Sequence, residues 1–255
     1  MSQVLHRAIK LLQLMAPDGD RREFGIKELA WKADLPLGTT HRILEALCQH
    51  GFVSQNPETR KYTLGWKLVE LGLAVWRSSE LRQVARPVME ELARRLEETI
   101  YLCVRDGLDG IYIEKVDSPL NLRITDPVGM RVPLHVGASK LVLLAYLPPS
   151  EQEEVITGLE ARCKAAAGGL EAVPVNREVL AEQLERIIER GYSLTYGATT
   201  EGTAGLALPV RDAFGRVVAS LSAAGPAVRY TEERIPKIFA ALKDRVKDIE
   251  KLLGR

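Results

Sequence analysis

The stretch LPLGTTHRILEALCQHGFV, residues 35–53, constrains the fold of this chain more than any other part of it. On a helical wheel, one side carries the i, i+3, i+4, i+7 spacing of a buried stripe, which comprises Thr40, Ile43, Leu44, Leu47 and Cys48. The opposite side carries Gly38, Thr39, His41, Arg42, Glu45 and Gln49. Its N-terminal end is small, polar and basic, whereas an ordinary solvated face would mix Glu and Lys. The pattern therefore predicts a helix that packs with one side and binds a ligand with the other.

The neighbouring segments indicate what kind of domain holds this helix. Apolar periodicity predicts helices over 3–15 and 26–33, and FVSQNPETRKYTLG after Gly51 is typical of a short hairpin. Helix, helix, turn, helix and hairpin is the order of a winged helix-turn-helix, which we assign to residues 1–64. In that fold the third helix enters the major groove of double-stranded DNA, and the hairpin meets an adjacent phosphate or the minor groove. We therefore expect DNA contacts from Gly38, Thr39, Thr40, His41, Arg42, Arg60 and Lys61.

The alternative for this region is a plain helical bundle with a solvated face. The whole chain has a formal net charge of +1, but the charges are unevenly distributed. Residues 1–77 contain 11 Lys and Arg against 8 Asp and Glu, while residues 78–255 contain 24 against 26. This asymmetry weakly favours an anion-binding N-terminal module.

A further helix, predicted over 64–80, is apolar on more than one side, with Leu68, Leu71 and Val75 on one side and Trp66 and Trp76 on others. Such a helix has to be covered from more than one side. We therefore interpret residues 65–80 as a linker helix that also packs on a partner subunit, in a homodimer or homotetramer.

Residues 81–255 alternate helices and β-rich runs. Helices are predicted over 81–98, around GASKLVLLAYL, over 176–190 and over 231–252. Hairpins are predicted in TIYLCVRDGLDGIYIEKVDS and in TAGLALPVRDAFGRVVASLSAAGP. Strands with helices segregated around them indicate an α+β domain with a mostly antiparallel sheet.

Catalytic motifs are absent from the sequence: it has no HExxH, GxSxG, P-loop, GxGxxG or SxxK. His135 stands alone, and the spacing of Glu114, Asp117 and Asp126 does not demand a metal. The three cysteines are far apart, which is typical of free thiols in a reducing cytoplasm. We expect a cytoplasmic protein that is not an enzyme, with no cofactor, no metal and no membrane segment. Two alternatives stay open for the C-terminal domain: it only oligomerises, or it resembles an enzyme.

Taken together, several segments resemble the isocitrate-lyase-regulator (IclR) family of bacterial transcription factors. They are LHRAIKLLQLM, IKELAWKADLPLGTTHRILEALCQHGFVSQNPETRKYTLGWKLVELG, PLHVGASKLVLLAYL and RGYSLTYGATTEGTAGLALPVRDAFGRVVASLSAAGP. The resemblance covers nearly the whole chain. It implies a winged helix-turn-helix, a linker helix and a GAF-like effector-binding domain over 81–255. It also implies a palindromic operator and control of a catabolic operon by a small organic or aromatic acid.

The chain departs from the family pattern at positions that bear on binding. Leu37-Gly38 stands where the family has Lys-Ser, and Lys140-Leu141 where it has Gly-Lys. Thr195, Gly205 and Ala224 replace an acid, a thiol and a hydroxyl, which predicts a less polar effector pocket with added room at Gly205. The resemblance implies that this pocket is lined by Leu122, Ile124, Ala138, Ser139, Thr195, Gly205, Ser222 and Ala224.

Overall fold

The computed structural model describes residues 3–16 and 22–254. Contacts along the chain divide it into two units, Met1–Ser78 and Ser79–Arg255. Each unit has its own hydrophobic core. The predicted linker helix belongs to the first unit by this division.

The first unit contains the elements expected of a winged helix-turn-helix. They are α1 (Gln3–Leu14), α2 (Ile26–Ala33), α3 (Leu37–Gln49), β1 (Val53–Gln55), β2 (Tyr62–Leu64) and α4 (Lys67–Ser78). Strands β1 and β2 pair antiparallel, and Phe24 forms an isolated bridge to Tyr62. The core is formed by Leu11, Met15, Phe24, Leu29, Ala33, Ile43, Leu44, Val53 and Tyr62. These residues belong to the three helices, the hairpin and the segments next to them, so one core fixes the orientation of α3 relative to the hairpin.

Two backbone features set the turns around α3. Asp34 ends α2 in the left-handed conformation, with φ of 56°, and the Leu35 amide then donates to the Ala30 carbonyl. Directly after β2, a Cβ at position 65 would collide with the backbone of Gly51. Gly65 is therefore needed where the chain passes close to the end of α3.

The second unit contains six strands and five α-helices in its described residues. Its elements are α5 (Glu80–Leu96), β3 (Thr99–Asp106), β4 (Asp109–Val116), β5 (Arg131–Pro133), α6 (Ala138–Ala145), α7 (Pro149–Ala165), α8 (Arg177–Arg190), β6 (Ser193–Tyr196), β7 (Thr203–Arg211), β8 (Val217–Pro226) and α9 (Ile235–Leu253). The strands form one sheet in the order β5-β4-β3-β8-β7-β6, and every neighbouring pair is antiparallel. The predicted α+β class with an antiparallel sheet is confirmed.

Helices cover both faces of this sheet. Helices α5 and α9 pack on one face, with a core that includes Met89, Leu92 and Ile238. Helices α6, α7 and α8 pack on the other face, with a core that includes Leu144, Leu159 and Leu184. The apolar residues of both faces explain why the central strands show near-continuous hydrophobic runs.

The register of three strands places predicted pocket residues side by side. Thr195 on β6 lies opposite Gly205 on β7, and Gly205 lies opposite Ala224 on β8. Directly opposed residues of an antiparallel pair point to the same face of a sheet. The three positions therefore form one row on one face.

The structure differs from the sequence predictions in some elements. Helix α7 and strand β6 were not predicted, and the linker helix spans Lys67–Ser78 rather than 64–80. Leu64 pairs with Val53 in the hairpin instead of starting the helix.

Candidate nucleic-acid interface and effector cavity

The outer side of α3 is exposed where the sequence predicts DNA contacts. Gly38, His41 and Arg42 are exposed, and Thr39 is half-buried. A Cβ at position 38 would meet nothing within 4 Å, so no other part of the protein covers the first turn of the helix at this position. No side chain caps the helix after Pro36, which leaves its first amides available to an anion such as a phosphate.

Thr40 does not belong to this surface, so its assignment as a DNA contact is wrong. The side chain is fully buried, and its hydroxyl donates to the Pro36 carbonyl at 3.2 Å. The residue stabilises the start of α3 from the inside. The helical wheel already placed it on the buried side, but its hydroxyl suggested a phosphate contact.

The tip of the hairpin is held in shape by a small polar network. The Asn56 Oδ1 accepts from the amides of Glu58 and Thr59, and the Glu23 carboxylate accepts from the side chains of Asn56 and Thr59. Arg60 follows in the left-handed region, with φ of 57°. Arg60 and Lys61 are both exposed, as expected of residues that meet DNA phosphates.

Helix α4 carries an exposed apolar surface. None of its residues is buried, and Val75 is 73% exposed. The other large exposed apolar residues on or next to it are Trp66, Val69, Leu71 and Leu73. Exposed apolar patches of this kind mark interaction surfaces in globular proteins.

The second unit contains a cavity between the N-terminal end of α6 and the sheet. It has about 440 Å³ of empty space, a figure that includes the solvent at its open mouth. Seven of the eight predicted pocket residues line it: Ile124, Ala138, Ser139, Thr195, Gly205, Ser222 and Ala224. The remaining lining residues are Tyr112, Asp126, Gly137, Lys140, Ala198, Thr199, Thr203 and Ala204.

Hydrogen bonds fix the polar groups of the cavity wall. The Ser139 hydroxyl donates to the Ser222 hydroxyl at 2.8 Å, and the Ala138 amide donates to the Thr195 hydroxyl oxygen at 3.1 Å. Gly205 leaves room beside them, because an added Cβ would meet its nearest neighbour, the Ala138 Cβ, only at 3.7 Å. The extra space predicted at Gly205 is therefore present.

Leu122 was also predicted to line the cavity, and this is wrong. Its side chain is 69% exposed, and its carbonyl accepts from Arg229. Two residues further along the same loop, the Ile124 carbonyl accepts from the Thr99 hydroxyl, and Ile124 lines the cavity. Hydrogen bonds of the loop backbone, which have no periodic sequence signal, decide which of the two side chains points inward.

The cavity is also more polar than the substitutions at Thr195, Gly205 and Ala224 predicted. Lys140, Tyr112 and Asp126 line it, and sequence reasoning did not assign any of them to the pocket. The signal for Lys140 was present, because the family lysine is displaced by one position along the helix. One residue turns a helical side chain by about 100°, enough to move it to another face.

The other polar residues considered from sequence have local partners. The His135 Nε2 lies 2.9 Å from the Val173 carbonyl oxygen, and burial lowers the pKa of this imidazole. The Glu114 carboxylate pairs with Arg82 at 2.6 Å. Cys103 is buried in β3, and burial raises the pKa of its thiol to about 12, so it behaves as a core residue. Within residues 3–16 and 22–254, no cluster of His, Cys, Asp and Glu could hold a metal ion.

No helix among the described residues has both the length and the apolar character needed to cross a membrane.

Comparison with known proteins gives matches over both units. Residues 4–57 match the IclR helix-turn-helix domain, and residues 73–251 match the C-terminal domain of the bacterial transcriptional regulator IclR. The HTH-type transcriptional regulator KdgR of Escherichia coli is 33% identical over 246 residues, which are 96% of this chain and 92% of KdgR.

Solved structures of similar proteins cover almost the entire chain. The IclR of Thermotoga maritima is 28% identical with a TM-score of 0.73, and the match covers 98% of each chain. An IclR homologue from Microbacterium hydrocarbonoxydans, solved in complex with 4-hydroxybenzoate, is 27% identical with a TM-score of 0.78, covering 98% of this chain and 99% of that one. With a helix-turn-helix at its N-terminus and family matches over both units, this chain belongs to the IclR family of DNA-binding transcriptional regulators.

Proposed function

We propose that this regulator binds its operator through α3 and the hairpin, and that a small molecule in the α6 cavity controls the binding. The observation that carries the proposal is the cavity itself, because seven predicted residues from separate parts of the second unit line it together. A domain that served only for oligomerisation would fill that space with larger side chains.

The effector that we propose is a small organic or aromatic acid, and the genes controlled are those of a catabolic operon. The complex of the Microbacterium homologue with 4-hydroxybenzoate supports an aromatic acid as one member of the class.

For the DNA arm we propose contacts from Gly38, Thr39, His41, Arg42, Arg60 and Lys61 to a palindromic operator. A palindrome requires two copies of the helix-turn-helix, so the proposal includes a homodimer or homotetramer. The exposed apolar surface of α4 supports it, because a partner subunit would cover that surface. A protein that binds chromosomal DNA works in the cytoplasm.

The substitution Gly38→Glu tests the DNA-binding part of the proposal. An acidic side chain in the first turn of α3 suits the free helix, because it lies at the positive end of the helix dipole. In the complex it would face phosphates, so we expect operator affinity to fall at least about tenfold, about 1.4 kcal/mol. Fluorescence anisotropy with a duplex recovered by in vitro selection measures the loss.

Gln49→Glu is the matched control, because it adds the same charge to the other end of the same helix, at an exposed position. It should retain operator affinity within about twofold, since a single exposed charge is strongly screened by salt. Equal losses in both variants, or no loss in Gly38→Glu, would place the DNA contacts somewhere other than the start of α3.

A further inference from the structure

Lys140 is a buried cation in the wall of the cavity. It lies in the first turn of α6 with 1% of its surface exposed, and lysine is almost never buried to this degree without an ionic partner. Its ammonium donates a hydrogen bond to the Tyr112 hydroxyl at 2.5 Å and lies 3.8 Å from the centre of the Tyr112 ring. Among the described residues, no carboxylate forms an ion pair with it.

The surroundings of Lys140 are built to accept its side chain. A Cβ at position 110 would lie 2.8 Å from the Lys140 Cγ and 2.9 Å from the Cys103 Sγ, so Gly110 leaves the space that the lysine stem occupies. The Tyr112 ring packs against Tyr101 with centroids 4.4 Å apart, which fixes the aromatic surface beneath the ammonium. The lysine therefore occupies a site shaped by four residues of β3 and β4.

One hydroxyl and one aromatic ring do not offset the desolvation of an ammonium ion. Burial lowers the pKa of Lys140 to about 8, against smaller opposite influences from Cys103 and Asp126. The side chain is therefore mostly protonated at neutral pH, and its positive charge has no ion pair within the described residues, although the Asp126 carboxylate in the same cavity wall attracts it at longer range.

The directions of the hydrogen bonds in the cavity wall determine which hydroxyl groups still have a proton to donate to a ligand. An ammonium only donates, so the Tyr112 hydroxyl accepts from Lys140 and has its own proton left to donate. The Ser139 side chain interacts with Tyr112, and its hydroxyl donates to Ser222. Ser222 at the end of this chain, and Thr195, whose oxygen accepts from the Ala138 amide, both have protons left for the cavity.

From this arrangement we propose that the effector binds through a carboxylate, which pairs with Lys140 and accepts hydrogen bonds from the Ser222 and Thr195 hydroxyls. Lys140 is then the residue that makes the cavity select an acid over its neutral amide, because an amide NH₂ would face donors. The inference rests on the proposed function in one respect, that the cavity is the effector site.

Matched acid and amide pairs test the inference on the full-length chain. The probes are benzoate and benzamide, 4-hydroxybenzoate and 4-hydroxybenzamide, and pyruvate and pyruvamide, followed by thermal shift and calorimetry. We expect one or more acids to raise the melting temperature in a concentration-dependent way, and the matching amide to bind at least about tenfold more weakly. A panel without any acid-dependent shift, or amides that bind as tightly as acids, would overturn the inference.

Lys140→Met removes the charge and keeps a side chain of similar length. It should weaken binding of the active acid at least about tenfold, with little change for the amide. Lys115→Met is the matched control, since Lys115 pairs with Asp117 outside the cavity and carries the same charge. Equal acid affinity in Lys140→Met and the wild-type protein would contradict the assignment.

A pH series on the wild-type protein gives a readout that needs no variant. Because the carboxylate pairs with the protonated amine, acid binding should weaken by up to about tenfold per pH unit above pH 8. A flat pH profile between 7 and 10 would count against Lys140 even if Lys140→Met failed to fold.

Failure of the inference and failure of the proposed function give different results. If an acid binds with the expected dependence on Lys140 but does not change operator affinity, the inference stands and ligand control of DNA binding fails. If a neutral molecule occupies the cavity and changes operator affinity, ligand control stands and the inference fails.

Discussion

Arg60 has a backbone conformation that disfavours any side chain, with φ of 57°, at the tip of the hairpin. Arg60→Gly would remove this strain together with the positive charge. We expect the free energy of unfolding to stay equal or rise by up to about 1 kcal/mol, because glycine adopts left-handed backbone at no steric cost. Operator affinity should fall for all sequences, and the slope of log affinity against log salt should decrease by about one unit if Arg60 meets a phosphate.

Glu97→Gly is the control for this prediction, because Glu97 also has a left-handed backbone, with φ of 55°, and lies in the second unit. It gains the same conformational relief and should leave the salt dependence of operator binding unchanged. An unchanged salt slope in Arg60→Gly would remove Arg60 from the proposed interface.

Lys140 also predicts how stability depends on pH. Its pKa is about 8 in the folded protein against an ordinary value of 10.5, so the unfolded chain holds more protons between these values. Its destabilising effect is therefore complete below pH 8 and is relieved as the pH rises towards 10.5, a change on the order of 3 kcal/mol. Four other ionisable residues influence one another at this site: Cys103, Tyr112, Tyr101 and Asp126. They are present in both the wild-type protein and Lys140→Met, so both proteins include their contribution to the pH dependence of stability.

Urea denaturation of the wild-type protein and Lys140→Met, from pH 7.5 to 10.5, isolates this effect. Without ligand, the methionine variant should be the more stable protein at pH 7.5, and the difference should shrink as the pH rises. A constant difference across the range would mean that the Lys140 pKa is not lowered by folding.

Residue chemistry alone was a partial guide to the sites. Gly205, Thr195 and Ala224 could be predicted only from the resemblance to the family, and the structure places them in one row of the sheet. Leu122 could not be separated from Ile124, because irregular loops have no sequence period. Lys140 could not be assigned to the cavity from its helix alone, because a single lysine in the mostly apolar run ASKLVLLA has no periodic pattern that shows which face it takes.

At the scale of elements, α4 is the helix of the first unit in which an apolar composition contrasts most with exposure to solvent. Leu71 and Val75 are exposed in the single chain. If a partner subunit covers them, Leu71→Asp with Val75→Asp should dissociate the assembly, because each buried apolar side chain contributes about 2–5 kcal/mol. Analytical ultracentrifugation measures the mass, and far-UV circular dichroism checks that the helices persist.

The same double variant should bind a palindromic operator more weakly, because two weakly linked heads lose the gain of simultaneous binding. If sedimentation and operator affinity were both unchanged, the surface of α4 would have another role.

Elements differed in how well the sequence predicted them. Helices α2 and α8 have clear apolar stripes, and their predicted ranges agree with the structure to within one residue. Helix α7 was not predicted because its sequence is strongly charged and, within this helix, only Val155 and Leu159 are buried. A helix that rests on the molecule through so few side chains has little periodic signal.

At the scale of the whole molecule, control of transcription requires energetic coupling between two units with separate cores. A ligand can change operator affinity only by as much as it prefers one arrangement of the protein over another. The coupling is reciprocal, so operator DNA must change the affinity for the ligand by the same factor. This reciprocity separates ligand control from a cavity that merely binds a small molecule.

The most direct test of this central claim is the operator dissociation constant, measured by fluorescence anisotropy with and without the acid that raises the melting temperature. We expect at least about a fivefold change in the wild-type protein, about 1 kcal/mol of coupling. Gly205→Leu should show no response, because its side chain would fill the cavity beside Ala138. An unchanged dissociation constant with the acid bound, or an equal response in Gly205→Leu, would contradict the account.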